Sequence, residues 1–139
     1  LNESVKIRSK KNLLVYSYRV AGTVGLMMSK ILKVNNKESL KGAIDLGIAM
    51  QLTNIARDVV EDKNRNREYI EYTFSSIEGT IRNAELFYRD SFFAIGGIPI
   101  RSRFSVIIAR RIYKKIGNYI LKKENIETRK SIAKRLQTN

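Results

Sequence analysis

The 139-residue chain contains neither cysteine nor histidine. Without thiols there is no disulfide framework, no thiolate metal site and no cysteine nucleophile. Without imidazole, Ser–His and Cys–His catalysis and zinc–histidine sites are excluded, which leaves carboxylates, tyrosines and basic side chains for any chemistry. Proline occurs once, at Pro99, and no run alternates apolar and polar residues, so the pattern favours an all-α fold. The sequence opens at Leu1 with no initiator methionine and no signal-peptide pattern. Acidic side chains are scarce too, with 13 Asp and Glu against 27 Lys and Arg, a formal charge of +14. Such a balance favours an anionic partner, whether nucleic acid, an acidic membrane surface or a phosphorylated small molecule. The lysines are scattered along the chain rather than gathered on one face, which argues against a nucleic-acid-binding module.

An apolar content of 43% suffices for a packed core, and the length allows one domain or part of a larger one. Four helical segments can be drawn, over about 12–33, 39–66, 76–95 and 101–123. The first includes "LLVYSYRVAGTVGLMMSKIL" (13–32), nearly long enough to span a membrane. Arg19 and Lys30 interrupt it, and one arginine in mid-span costs about 2.5–3.5 kcal/mol. The segment therefore reads as a buried helix in the middle of a bundle, apolar nearly all round. Its Ala21, Gly22 and Gly25 weaken a helix but allow a neighbouring helix or a ligand to approach the backbone. The linker "KVNNKES" is a turn in which Asn36 or Ser39 could cap the next helix.

The third segment carries Ile77, Ile81, Ala84, Tyr88, Phe92 and Ile95 at helical spacing, and "GGIP" (96–99) ends it. The fourth places Ile108, Ala109, Ile112, Tyr113, Ile116 and Ile120 on one face, and both stripes read as ordinary core packing. Arg103, Arg110, Arg111, Lys114, Lys115 and Lys122 form the back of the fourth helix, which reads as a solvated face with a membrane-surface role as the alternative.

The second segment is more informative. Gln51, Asn54, Asp58, Glu61, Asp62 and Arg65 fall within a sector of about 100° on a helical projection. A solvated face would stay polar along its length, but this line continues upstream into Ala43, Ile44, Gly47 and Met50. That profile suits a stripe looking into a cavity that is apolar at one end and polar at the other. Asp58 and Asp62, one turn apart, repel each other unless a cation lies between them. Carboxylate and amide oxygens are hard ligands suited to Mg²⁺, and Arg57, Arg65 and Arg67 could neutralise phosphate oxygens. The implied ligand has an anionic head and a hydrocarbon body.

Two stretches carry a family resemblance. "YSYRVAGTVGLMMSKI" (16–31) resembles the tyrosine-led signature of the squalene/phytoene synthases, and "LGIAMQLTNIARDVVEDKNRNREY" (46–69) resembles their second signature, with the second aspartate-rich motif. "AGTVG" is more like the phytoene-type members, and "IPIRSRFSVIIARRIYKKIG" is similar to the family's C-terminal helix. The resemblance implies an all-α isoprenoid synthase bundle with a central cavity, of which residues 1–139 form an incomplete, C-terminal portion. It implies a prenyltransferase joining two geranylgeranyl diphosphates head to head into phytoene, through a cyclopropylcarbinyl diphosphate, for carotenoid biosynthesis. A farnesyl-diphosphate-using squalene or diapophytoene synthase, and a non-catalytic relative acting in assembly, are the alternatives. Mg²⁺, or Mn²⁺ in its place, is the implied cofactor, with NADPH needed only for squalene-type chemistry.

Carried over by residue, Asn54, Asp58 and Asp62 would ligate the metal, while Gln51 and Arg57 would hold substrate. Tyr16 would lie near the rearranging intermediate, with Val20, Ala21 and Gly25 lining the cavity. Tyr113 and Arg129 would stand near the diphosphates. A cytoplasmic protein, peripheral at the membrane, is implied. Two departures matter: the family's first aspartate-rich motif has no counterpart, which implies that this stretch alone is inactive, and Glu71 stands where a proline is usual. The following connection looks short, as though residues were missing near 70–71.

Overall fold

Three of the helices begin where a short polar side chain satisfies a free N–H group. In the computed structural model, which describes residues 4–137, α1 (Lys10–Ser17) is capped by Ser9. The caps of α3 (Lys37–Arg57) and α5 (Phe74–Phe92) are Asn36 and Thr73. The Asn36 side chain accepts the Ser39 N–H at 2.7 Å, while the Ser39 hydroxyl turns away and donates to the Ala94 carbonyl at 2.9 Å. Asn36 is thus the cap, and Asn36→Ala should cost about 1 kcal/mol in a urea titration.

The fold is all-α, with one short parallel ribbon in which β1 (Val5–Lys6) pairs with β2 (Arg67–Glu68). All four helix outlines differ from the sequence pattern. The first segment is α1, then a π-helical turn (Tyr18–Gly22), then α2 (Thr23–Ile31). The second breaks at Asp58 into α3 and α4 (Val59–Asn64). The third ends in a 3₁₀ turn (Phe93–Gly97), after which α6 runs as one helix over Ile100–Gln137, well past residue 123.

The central helix is α3, which packs against α1, the π turn, α2, α5, the 3₁₀ turn and α6. One core cluster joins Leu13, Ile48, Leu52, Ile55, Ala84 and Tyr88, and a second joins Ala56, Val59, Ile77, Ile81 and Ile120. Within this chain the outer face of the first segment is open: Val15, Val20, Val24, Met27, Met28 and Ile31 are exposed. Its inner face packs on α3, and no described element covers its outer one. Phe92, Ile108 and Ile112 also lie outside the core, since α6 turns Ala109, Tyr113, Ile116 and Ile120 inward. Nor is the basic back of α6 simply solvated. Arg110 donates two hydrogen bonds to the Tyr88 carbonyl, at 3.1 and 2.8 Å, and Lys114 pairs with Glu85 at 2.9 Å.

Tyr88 ties three helices together. Its buried hydroxyl lies 3.0 Å from the Thr53 hydroxyl on α3, and its carbonyl holds Arg110 of α6. Tyr88→Phe removes the partner of a buried hydroxyl that keeps only its bond to the Ala49 carbonyl. The expected loss is about 1 kcal/mol, read from chemical denaturation.

Candidate functional site

The line Gln51, Asn54, Asp58, Asp62 survives the break between α3 and α4. The Asp58 N–H still bonds the Asn54 carbonyl and the Asp62 N–H bonds the Asp58 carbonyl, both at 2.8 Å, so the three side chains stay one turn apart. Asp58 caps the C-terminus of α3 with φ −99° and ψ 11°, which re-aims the chain without losing the ladder.

Upstream of this line lies a cavity of about 350 Å³ between the first helical segment, α3, the 3₁₀ turn and α6. Val20, Ala21, Gly25, Met50, Gln51 and Asn54 contribute to its wall. Ala21 and Gly25 serve the helix crossing as well as the cavity. A Cβ on Gly25 would collide with the Ala43 carbonyl, and one on Gly47 with the Ala21 carbonyl. Of the two uses read for small residues here, close helix approach and ligand approach, the backbone contacts carry the first and the lining allows the second.

At the polar end, the Asn54 side-chain oxygen is buried and has no hydrogen-bond partner. An amide oxygen left unpaired costs about 1–3 kcal/mol, which a cation or donor on a ligand would recover. The Asp62 carboxyl is held above its ordinary range by burial first, then by the Asp58 charge, with Arg67 and Arg65 opposing. Two carboxylates and one amide oxygen make a set that Mg²⁺ fits, because that ion takes oxygen ligands and retains several waters. Among the described residues no group of three or more carboxylates is placed to hold a metal ion.

Tyr16 stands beside this end. Its ring stacks on Tyr69 with centroids 4.9 Å apart, and its hydroxyl donates to the Tyr69 hydroxyl at 3.1 Å. Burial and then the Tyr69 hydroxyl push its ionisation up to about 12, and Asp62 and Arg67 both act on it electrostatically. It is therefore a neutral phenol at physiological pH. Tyr69 has no role in the sequence pattern. The ribbon that carries it past Tyr16 is two residues long per strand, too short to be recognised from sequence.

Arg57 grips its neighbour Asp58 through two hydrogen bonds of 2.7 and 2.8 Å, and Arg65 pairs with Glu61 at 2.7 Å. Tyr113 is half-buried on α6 and acts electrostatically on both Arg57 and Tyr88. Arg129 stands apart. It lies on α6, sixteen residues beyond Tyr113, or about 24 Å along a helix. Of the predicted residues, Val20, Ala21, Gly25, Gln51 and Asn54 line this cavity, whereas Arg57 and Asp58 line a separate cleft between the end of α3, α4 and α6.

Residues 2–70 match the sequence model of the squalene/phytoene synthase family. The chain belongs to that family. It is 38% identical over 123 residues to the 15-cis-phytoene synthase of Enterobacter agglomerans, an alignment covering 73% of this chain and 42% of the relative. It is 34% identical over 138 residues to that of Paracoccus sp., covering 86% of this chain and 45% of the relative. The phytoene synthase of Thermus thermophilus is 52% identical over a shorter stretch of 66 residues, 48% of this chain and 22% of the relative. The chain thus spans less than half the length of these relatives. The all-α bundle fits the isoprenoid synthase architecture expected of the family.

Proposed function

We propose that this chain is the C-terminal part of a Mg²⁺-dependent prenyltransferase of the phytoene synthase type, which condenses two geranylgeranyl diphosphates head to head. The observation that carries the reading is the unpaired Asn54 oxygen, buried at the polar end of an apolar cavity and followed at one-turn intervals by Asp58 and Asp62. Asn54, Asp58 and Asp62 would hold Mg²⁺. When bound, the ion supplies positive charge for a departing diphosphate.

The remaining work falls to the chain's own groups. Gln51 has its amide at the cavity wall, where it can orient the substrate next to Asn54. Arg67 is exposed, acts electrostatically on Asp62 and Tyr16, and would meet diphosphate oxygens. Val20, Ala21, Gly25 and Met50 offer an apolar wall that excludes water from an allylic cation. The Tyr16 phenol, un-ionised and oriented by Tyr69, presents a dipole rather than a competing anion to that cation.

The test is product analysis. The polypeptide carrying this chain is incubated with geranylgeranyl diphosphate, and separately with farnesyl diphosphate, with Mg²⁺ or with excess chelator. A forty-carbon hydrocarbon from the first substrate, abolished by chelator, is the expected result. A thirty-carbon product from farnesyl diphosphate alone would move the assignment to the shorter substrate, and no hydrocarbon from either would overturn it.

A further inference from the structure

Neighbouring side chains on a regular helix diverge by about 100°, so residues i and i+1 do not face each other. The unbroken α5 shows the usual case, with Arg89 meeting Asp90 through one hydrogen bond of 3.2 Å. Arg57 and Asp58 differ. They stand at the break between α3 and α4, where the Asp58 backbone departs from helical geometry. There the Arg57 Nε and Nη2 donate to the Asp58 Oδ1 and Oδ2 at 2.7 and 2.8 Å. The break turns two adjacent residues into a fork-to-carboxylate pair, a strong form of the charge-assisted hydrogen bond.

This pair engages a carboxylate that the proposed metal set needs. Asn54 keeps its oxygen unpaired at the cavity. Asp58, with both oxygens taken, lines the separate cleft together with Arg57. Each Asp58 oxygen retains a second lone pair, but a divalent ion bound there would lie beside the guanidinium charge. Two cations therefore compete for one carboxylate. The arginine that loses the competition has another use, because a fork that fits a carboxylate also fits phosphate oxygens.

We infer that Arg57 is the placeholder cation of Asp58: it holds the carboxylate until a divalent ion takes its place, and the fork so released grips the diphosphate. Metal and diphosphate affinity are thereby coupled through one side chain, each favouring the other. The inference rests on the proposed function for its ligands, but its test reads binding and needs no turnover.

Calorimetry on the polypeptide carrying this chain measures each ligand alone, at about 0.15 M salt, where exposed charges beyond about 8 Å are largely screened. Mg²⁺ alone should bind Arg57→Gln about fivefold more tightly than the parent, the scale of releasing a partly exposed ion pair. Arg57→Lys keeps the charge but loses the fork, and should fall between the two. Arg65→Gln is the charge control, since Arg65 acts on Asp62 but pairs with Glu61 and not with Asp58. Its loss should change Mg²⁺ affinity by less than about twofold. Inorganic diphosphate with chelator should bind Asp58→Asn more tightly than the parent, because Arg57 is then free. It should also bind Asp58→Asn more tightly than Asp62→Asn, which removes the same charge and leaves the pair intact.

Equal effects of Arg57→Gln and Arg65→Gln on Mg²⁺, or of Asp58→Asn and Asp62→Asn on diphosphate, would overturn the inference by reducing Arg57 to one charge among several. So would Mg²⁺ binding to none of these proteins. A parent that makes hydrocarbon while showing either equality loses the exchange and keeps the proposed function. A parent that makes none while both asymmetries hold keeps the exchange and loses that function.

Discussion

Gly47→Ala should leave a chain that unfolds at markedly lower denaturant, or fails to fold cooperatively, although it adds only a methyl group. Alanine is the better helix former by about 1 kcal/mol, so propensity alone predicts the opposite sign. Packing decides. A Cβ at Gly47 would meet the Ala21 carbonyl, and one at Gly25 would meet the Ala43 carbonyl, so each substitution strikes backbone and not a movable side chain. Overpacking against adaptable neighbours costs about 1–3 kcal/mol, and rigid backbone places these sites at or beyond the upper end. That is a large share of the roughly 5–15 kcal/mol that holds a domain together. Gly79 provides the control. It lies inside α5, and a methyl group added there would find nothing within 4 Å, so Gly79→Ala should raise stability by about 0.5–1 kcal/mol. Urea titrations of the three variants read both signs. A Gly47→Ala chain as stable as the parent would mean that α3 does not pack on the π turn at this distance.

The contrast between those glycines shows what a sequence pattern can carry. Glycine at 25 suggests close approach, but nothing near 47 or 79 says which glycine meets a backbone and which meets solvent. The polar line of Gln51, Asn54, Asp58 and Asp62 is legible because its spacing is set by the helical ladder, which continues through Asp58 even where the helix breaks. The cavity is legible from the apolar residues upstream on the same line. Facing is harder. Helical periodicity places Ile108, Ile112 and Ile116 along one stripe, yet only the neighbours decide that Ile116 packs inward and Ile112 stays half-exposed. The π turn is invisible in the pattern because it adds a residue to one turn and rotates everything after it. Tyr69 escapes notice for another reason: its place beside Tyr16 comes from pairing across more than sixty residues, between Val5 and Arg67, and no local pattern encodes that.

Asp62→Asn should remove product formation while leaving the fold as stable as before, or more so. The parent carboxylate is unfavourable where it stands, since burial and the neighbouring Asp58 charge both raise its ionisation above the ordinary range. A carboxyl raised in the folded state binds its proton more tightly there than in the unfolded chain. Its contribution to stability is therefore present at acid pH and declines as pH rises from the unfolded value through the folded one. Asparagine carries no charge at any pH, so the variant should lose that decline, and its denaturation midpoint at neutral pH should equal or exceed the parent's. Activity should move the other way. Losing one carboxylate from a set of two carboxylates and an amide weakens the charge stabilisation of a leaving diphosphate, for which a loss of about 10²–10³ in rate is the expected order. Asp58→Asn should show a similar loss, and the double variant should fall far short of the product of the two, because under the proposed function both carboxylates would act on one ion. Asp58→Asn also frees Arg57 from its two-point grip, so its stability should fall slightly where that of Asp62→Asn does not. Titration calorimetry with Mg²⁺ and inorganic diphosphate gives a reading independent of turnover, with weaker binding expected in both single variants. Parent-like activity in Asp62→Asn, or losses that multiply in the double variant, would show that the two carboxylates do not share a ligand.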